Sequence, residues 1–109
     1  MSQIKFKVIS DSMHPLIKID NELRVVPDLN GLNVLDIILF KRGGNLVVHF
    51  VWRNQLNFNS TVITRCLKNP YVDEAPVEKK LILGRVSNFH IGFHLKLKLV
   101  ILNILKGTL

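Results

Sequence analysis

Hydrophobic and polar residues alternate with a period of two along most of this chain, a pattern typical of strands that bury one face. The segment 4–8 alternates apolar residues with lysines, whereas the segment 46–52, LVVHFVW, is apolar except for His49 and is rich in the β-branched and aromatic residues of strands. A short apolar run, 36–40, precedes the second segment, and KRGGN separates the two. Because a Gly-Gly pair suits the tight turn between antiparallel strands, residues 36–52 are predicted to form a β-hairpin.

Residues 16–26 form a further apolar segment, which the turn pair Asp20-Asn21 breaks, and two more strands are predicted at 58–66 and 80–86. The loops at 27–31 and 69–76 contain three of the four prolines. The tail LKLKLVILNIL is apolar but interrupted by two lysines and an asparagine, which predicts a strand leading into a short helix, or an interfacial segment. Short strands joined by turns indicate a mainly antiparallel β domain that ends in a short strand or helix.

Length and charge narrow the possible functions. A chain of 109 residues makes one domain, predicted to span 1–109. Its 15 Lys and Arg residues against 8 Asp and Glu give a net charge of +7, which favours anionic partners. Nucleic acid is not expected as a partner, because no nucleic-acid-binding motif is present and aromatic residues do not interleave with the basic ones.

Neither a metal site nor secretion is indicated. Cys66 is the single cysteine, so no internal disulfide forms and no Cys/His ligand spacing exists. His90 and His94 are four residues apart, but Gly92 lies between them and no third ligand is near. The N-terminus is too polar for a signal peptide, and no apolar run reaches the roughly 18 residues that span a bilayer. The chain is therefore expected to be cytoplasmic, or to contact a membrane peripherally through its basic, apolar tail.

His49 is the histidine best placed for acid–base chemistry. In the strand 46–52 it shares a face with Val47 and Val51, an apolar setting that favours the neutral imidazole. A neutral imidazole can take a proton from a serine, and a carboxylate on its other nitrogen would orient it. Spacing alone does not choose among five candidate carboxylates: Asp11, Asp20, Asp36, Asp73 and Glu74.

The segment SDSMHPLIK, which begins at Ser10, resembles the S-x-S-M-x-P box of type I signal peptidases, the serine peptidases that remove leader sequences. Three later segments are similar to other parts of that family, in the same order. LDIILFKRGGNLVVHFV resembles its GDIVVF…VHRV hairpin, ITRCLKNPYVDE its TKGDNN…D loop, and LILGRV its IIGKV or IGRV strand. The resemblance runs from about Ile4 to about Leu102, and it implies the coiled antiparallel β-sheets of signal peptidases and repressor-cleavage domains.

The resemblance also implies roles for individual residues. Ser12 matches the nucleophile, and His49 takes the place of the base, as in the branch of the family that uses histidine instead of lysine. Asp73, nine residues after Thr64, matches the acidic partner. Ser10 and the backbone N–H of Ser12 match the oxyanion donors. The implied activity is a serine endopeptidase that cleaves an extended leader or precursor peptide after a small residue, with no cofactor.

Two differences from the family keep other functions open. The TKGD segment is Thr64-Arg65-Cys66-Leu67 here, and the usual N-terminal membrane anchor has no counterpart. A catalytically impaired peptide- or nucleic-acid-binding module on the same fold is therefore an alternative to the peptidase. A self-cleaving repressor domain is the least favoured alternative, because the only alanine, Ala75, precedes a proline and no Ala-Gly scissile pair exists.

Overall fold

In the computed structural model, which describes residues 4–106, the chain folds into one antiparallel sheet and a C-terminal α-helix. The strands are β1 (Ile4–Lys7), β2 (Glu22–Val26), β3 (Ile37–Arg42), β4 (Asn45–Gln55), β5 (Thr61–Arg65), β6 (Val77–Glu78) and β7 (Ile82–Val86). One turn of 3₁₀ helix, Lys79–Leu81, precedes β7, and the helix α1 spans Phe93–Lys106. The predicted mainly antiparallel β architecture is confirmed, and the tail is a helix rather than a strand.

The described strands follow the order β1-β2-β7-β3-β4-β5-β6, and each pairs antiparallel with its neighbours. β3 and β4 form the predicted hairpin, with Ile38 opposite His49. Gly43 and Gly44 make its turn with φ of 57° and 80°, the left-handed conformation that glycine adopts without a steric penalty. The hairpin therefore places His49 in the interior of the sheet, on one of its longest ladders.

Alternation along β4 divides its side chains between two faces, as the sequence predicts. Phe50 and Trp52 join the larger buried cluster, which also contains Leu99 of α1. Val51 joins a second cluster on the opposite face. Because residues two apart on a strand share a face, His49 lies on the side of Val51. The sheet therefore separates the side covered by α1 from the side that carries the imidazole.

The segment 16–26 is broken by a turn at Asp20-Asn21, as the sequence predicts, and only its second half is a strand. β2 begins only at Glu22, after Asp20 with a φ of 72°. Before it, the N–H of Ile17 donates to the carbonyl of Met13 at 3.0 Å. Both of these side chains are buried, 0% and 2% exposed. These two anchors hold the stretch between β1 and β2 against the sheet, and Ser12 belongs to that stretch.

Candidate functional site

A cleft of about 430 Å³ lies between the chain that follows β1 and the β3–β4 hairpin. Phe6 and Val8 belong to its lining, as do Val48 and His49 from β4. Since β1 and β4 are separated by three strands in the sheet order, the sheet must curl to bring them to one cleft. Ser12 also lines this cleft, so the two residues expected to react border one cavity.

Ser12 is held at the cleft through its main chain. The backbone N–H of Lys68 donates to the Ser12 carbonyl at 2.9 Å, and the Lys68 ammonium pairs with Asp11 at 2.7 Å. The hydrogen bond from the Lys68 ammonium to the Asp11 carboxylate, together with the positive charge of Lys68, lowers the pKa of Asp11. Met13, the residue after Ser12, is 2% exposed and anchors the turn in the core. The loop after β5 and the core therefore clamp the turn that presents the half-buried Ser12.

Ser10 lies next to Ser12 in the cleft. Its hydroxyl oxygen accepts a hydrogen bond from the Ser12 N–H at 3.3 Å. The two groups that the resemblance assigns to an oxyanion are therefore neighbours, and both residues line the cleft. A substrate oxygen entering here would replace Ser10 Oγ as the acceptor of the Ser12 N–H.

His49 is held in one orientation by a carboxylate. It lies near the middle of β4 with 12% of its side chain exposed, and its Nδ1 is 2.7 Å from Oε1 of Glu74. The Phe40 ring meets the imidazole in a T-shaped arrangement, with the ring centroids 5.8 Å apart. Because Glu74 occupies Nδ1, Nε2 is the ring nitrogen that remains for proton transfer.

Glu74 organises the polar side of this site. Its Oε1 also accepts a hydrogen bond from the Thr64 hydroxyl at 2.9 Å, and it lies 3.5 Å from the Arg42 guanidinium. Arg42 in turn donates to the carbonyl of Ala75 at 2.5 Å, which ties the loop to the hairpin. Burial alone would raise the pKa of Glu74, but His49, Thr64 and Arg42 together hold it below its ordinary value. The carboxylate is thus ionised near neutral pH and can stabilise an imidazolium.

Asp73 pairs with Arg65 and not with His49, which corrects the placement that the resemblance implies. The Asp73 side chain is 89% exposed. Arg65 donates to it, and also to the carbonyl of Pro70 at 2.7 Å. The Arg65 guanidinium is buried against Trp52, 3.9 Å from the centroid of the indole ring. Asp73 therefore balances a structural cation outside the cleft.

Strand alternation explains why Glu74 reaches the imidazole and Asp73 does not. Thr64 and Arg65 are successive residues of β5, so their side chains point to opposite faces of the sheet. Glu74 bonds to Thr64 on the face of His49, whereas Asp73 bonds to Arg65 on the other face. The loop thus divides its two acidic residues between the two sides of the sheet.

Ser12, the expected nucleophile, and His49, the expected base, are not hydrogen-bonded to each other. In the part of the chain that the structure describes, no hydrogen bond joins the Ser12 hydroxyl to His49. Catalytic hydrogen bonds are often long or misaligned before substrate binds. A reacting complex would have to bring Ser12 Oγ within about 3.2 Å of Nε2 of His49.

A cysteine lies beside the His49–Glu74 pair. Nitrogen, sulfur and carboxylate oxygen atoms of His49, Cys66 and Glu74 all lie within 4.8 Å of one another. Arg65 pairs with Phe50 across β4 and β5, and continuing this register by one residue places Cys66 opposite His49. Spacing along the chain does not reveal this group, because strand pairing and a loop bring its members together.

Three residues of the site receive no role from the sequence: Arg42, Thr64 and Glu74. Glu74 is among the five candidate carboxylates, but the resemblance selects its neighbour. Thr64 stands out in the sequence only as the first residue of the altered TKGD segment, from which Asp73 is located, and Arg42 only as part of a turn. These residues can be identified from the register of the hairpin and of β5, which is known only once the strands are paired.

Comparison of the chain with protein-family models, with curated proteins and with solved structures finds no significant match. Within residues 4–106, no helix is both long enough and apolar enough to cross a membrane. The function is therefore inferred from the residues of the cleft.

Proposed function

We propose that this protein is a serine endopeptidase in which Ser12 is the nucleophile, His49 the general base and Glu74 the acid that orients the base. One observation carries the proposal: His49 Nδ1 bonds to Glu74 in the wall of the cleft that Ser12 lines. An imidazole acts best as a general base when a carboxylate holds one of its nitrogens and the other is free to accept a proton. The His49–Glu74 pair meets that requirement.

The reaction follows acyl-enzyme chemistry. As the Ser12 oxygen attacks the carbonyl carbon of the scissile bond, its proton passes to Nε2 of His49. Glu74 then faces an imidazolium across the 2.7 Å contact and stabilises its charge. The C–N bond breaks as His49 returns the proton to the leaving amine. Water hydrolyses the ester on Ser12 by the same proton transfers, so the cycle needs no cofactor.

An extended peptide is the substrate class that suits the cleft. β1 is an edge strand of the described sheet, and an edge can pair with a peptide strand through backbone hydrogen bonds. The cleft is lined largely by apolar side chains, among them Ile9, which is 80% exposed. Alternate side chains of a bound strand would point into this apolar space. Cleavage after a small residue is the preference that the sequence resemblance implies.

The proposal extends to the fold. Along the chain come the Ser12 turn, the hairpin that carries His49 and the loop that carries the acid, in the order of the segments that resemble type I signal peptidases. A curled antiparallel sheet with these residues around one cleft is compatible with the fold of that family. The acid differs by one position, since Glu74 bonds to the imidazole.

Labelling with a fluorophosphonate tests the proposal. This probe phosphonylates a serine oxygen and releases fluoride when a neighbouring base activates that oxygen. We expect one label per chain, assigned to Ser12 by fragmentation in the mass spectrometer, and no label on the Ser12→Ala variant. An extended peptide with small residues should slow the labelling, because it occupies the same cleft.

Two results of this experiment would contradict the proposal. Equal labelling of the wild type and Ser12→Ala would mean that another residue reacts. A wild-type chain that takes no label but still binds extended peptides would be a binding module, the alternative that the altered TKGD segment suggests.

A further inference from the structure

We propose that His49, Cys66 and Glu74 form a zinc-binding site, and that Zn²⁺ bound there stops the peptidase. The inhibition rests on the proposed function, but the binding of zinc does not. The three residues offer an imidazole nitrogen, a thiolate and a carboxylate oxygen within 4.8 Å of one another. Zinc uses these three ligand types, and a three-residue set leaves a fourth tetrahedral position for water.

The distances are close to those that zinc requires. Zinc–ligand bonds of about 2.0–2.3 Å place tetrahedral donor atoms roughly 3.3–3.8 Å apart. His49 Nδ1 and Glu74 Oε1 are already 2.7 Å apart, with the proton between them. Cys66 is half-buried, and its thiol makes a weak 3.7 Å contact with the Asn69 carbonyl. Moving sulfur closer to the pair would give up that weak contact.

Metal binding and catalysis exclude each other at this site. Zinc would bind Nδ1 of the neutral imidazole, so the single ring proton moves to Nε2, and it would ionise the Cys66 thiol, releasing that one proton to solvent. An imidazole bound to zinc through Nδ1 loses its bond to a free carboxylate. Its Nε2 then carries the ring proton and has no lone pair left to accept the Ser12 proton. Zinc would therefore inhibit without touching Ser12.

Titration with Co²⁺ alone, in place of Zn²⁺, tests the site without any substrate. The metal-free wild type should take up one Co²⁺ per chain, with a thiolate charge-transfer band in the near ultraviolet and intense visible bands of tetrahedral geometry. Cys66→Ser should lose the charge-transfer band, and Glu74→Gln should weaken binding by about tenfold or more. His94→Gln, which removes an exposed histidine from α1, is the matched control and should bind like the wild type.

The result that overturns the site is a wild type without a thiolate band, or a band equally strong in His49→Gln and Glu74→Gln. The second pattern would mean that Cys66 binds alone. Circular dichroism spectra check that each variant is folded. In peptide cleavage, Zn²⁺ should inhibit the wild type reversibly, and Cys66→Ser should need about ten times more metal. If no chain cleaves peptide, the proposed function fails while the Co²⁺ titration still decides the metal site.

A separate observation concerns the outer side of α1. The helix packs on the core through Leu99, 2% exposed, yet its opposite side is also apolar. Five residues at helical spacing form this outer stripe, with exposures between 37% and 74%: Phe93, Leu97, Val100, Ile101 and Ile104. Phe58, 76% exposed, lies across a groove from Val100 and Ile104 and extends the apolar surface beyond the helix. Exposed apolar surface of this kind marks an interaction site.

The charges beside the outer stripe point to its partner. Lys96 and Lys98 are exposed, and the 3.6-residue turn of the helix places them on opposite flanks of the stripe. The helix contains no aspartate or glutamate. Lysines in these positions can reach anionic headgroups while the apolar side chains enter the boundary of the acyl chains. We infer that α1 docks this stripe onto an anionic lipid surface, lying in its plane.

Vesicle co-sedimentation tests the lipid contact. The wild type should bind vesicles of phosphatidylcholine with about one third phosphatidylglycerol, more weakly at high salt and more weakly still to pure phosphatidylcholine. Replacing Ile101 and Ile104 together by asparagine should reduce binding by about tenfold or more. Ile19→Asn, an equally exposed isoleucine away from α1, should change nothing.

Two outcomes would overturn the lipid proposal. Vesicle binding that survives the paired substitution would place the contact elsewhere. A chain that ignores vesicles but dimerises in analytical ultracentrifugation, with the dimer lost in the paired variant, would show that the stripe contacts a second copy instead.

Discussion

Ser12→Ala is expected to lower kcat/KM for an extended peptide by about a thousandfold or more, because the proposed acyl-enzyme forms on the Ser12 oxygen. Ser12 is half-buried, and alanine fits the same space. Its main chain would still accept the 2.9 Å hydrogen bond from Lys68, so the turn should keep its conformation. The measurement is turnover of a fluorogenic peptide with small residues at the cleavage point, at matched protein stability.

Ser87→Ala is the matched control for this substitution, because it removes a hydroxyl that donates to the Arg24 carbonyl at 3.2 Å, outside the cleft lining. Its turnover should stay within about twofold of the wild type. A Ser12→Ala chain that retains wild-type turnover, with an unchanged melting temperature, would refute the nucleophile assignment. Binding of the peptide to Ser12→Ala should persist, since the apolar walls of the cleft remain.

Glu74→Gln is expected to lower kcat by about a hundredfold or more, with a smaller change in KM. Glutamine keeps the shape of the side chain but removes the charge that stabilises the imidazolium. It can also present an amide N–H to Nδ1 of His49, which would turn the ring to the wrong tautomer. The proton on Nδ1 is expected to give a downfield resonance in the NMR spectrum of the wild type, and this resonance should move or disappear in the variant.

Asp73→Asn is the paired control, since it makes the same chemical change one residue away. Its turnover should remain within about threefold of the wild type and its downfield resonance should stay, because Asp73 is 89% exposed and pairs with Arg65. The reverse pattern, with Asp73→Asn inactive and Glu74→Gln active, would restore the assignment implied by the resemblance and remove Glu74 from the mechanism. Equal loss in both variants, with lowered melting temperatures, would indicate a structural role for the loop.

The strands could be predicted wherever apolar segments and turn residues give the same indication. The hairpin of β3 and β4 combines two apolar segments with Gly43-Gly44, and its two faces follow from alternation. The turn at Asp20-Asn21 within 16–26 could also be predicted, but the sequence did not show that Ile17 is buried from a turn rather than from a strand. Apolar character indicates burial, and burial alone does not distinguish an extended residue from one in a turn.

The candidate site could be predicted in part. His49 stands out locally, as a polar residue on the apolar face of a strand, and it lines the cleft with Ser12. The choice between Asp73 and Glu74 depends on which side of the sheet the loop turns each residue, and neighbouring acids look alike in sequence. Cys66 joins His49 through the register between β4 and β5, which spacing along the chain does not encode.

The sequence by itself determined the β architecture, the hairpin turn and the two faces of β4, because these depend on side chains a few residues apart. Only the tertiary structure decided that Glu74 holds His49, that Cys66 lies beside them, and that α1 leaves an apolar side uncovered. Those outcomes depend on strand order, sheet curl and the path of a loop. They are set by the packing of the whole chain, in which residues distant in sequence compete for the same partners.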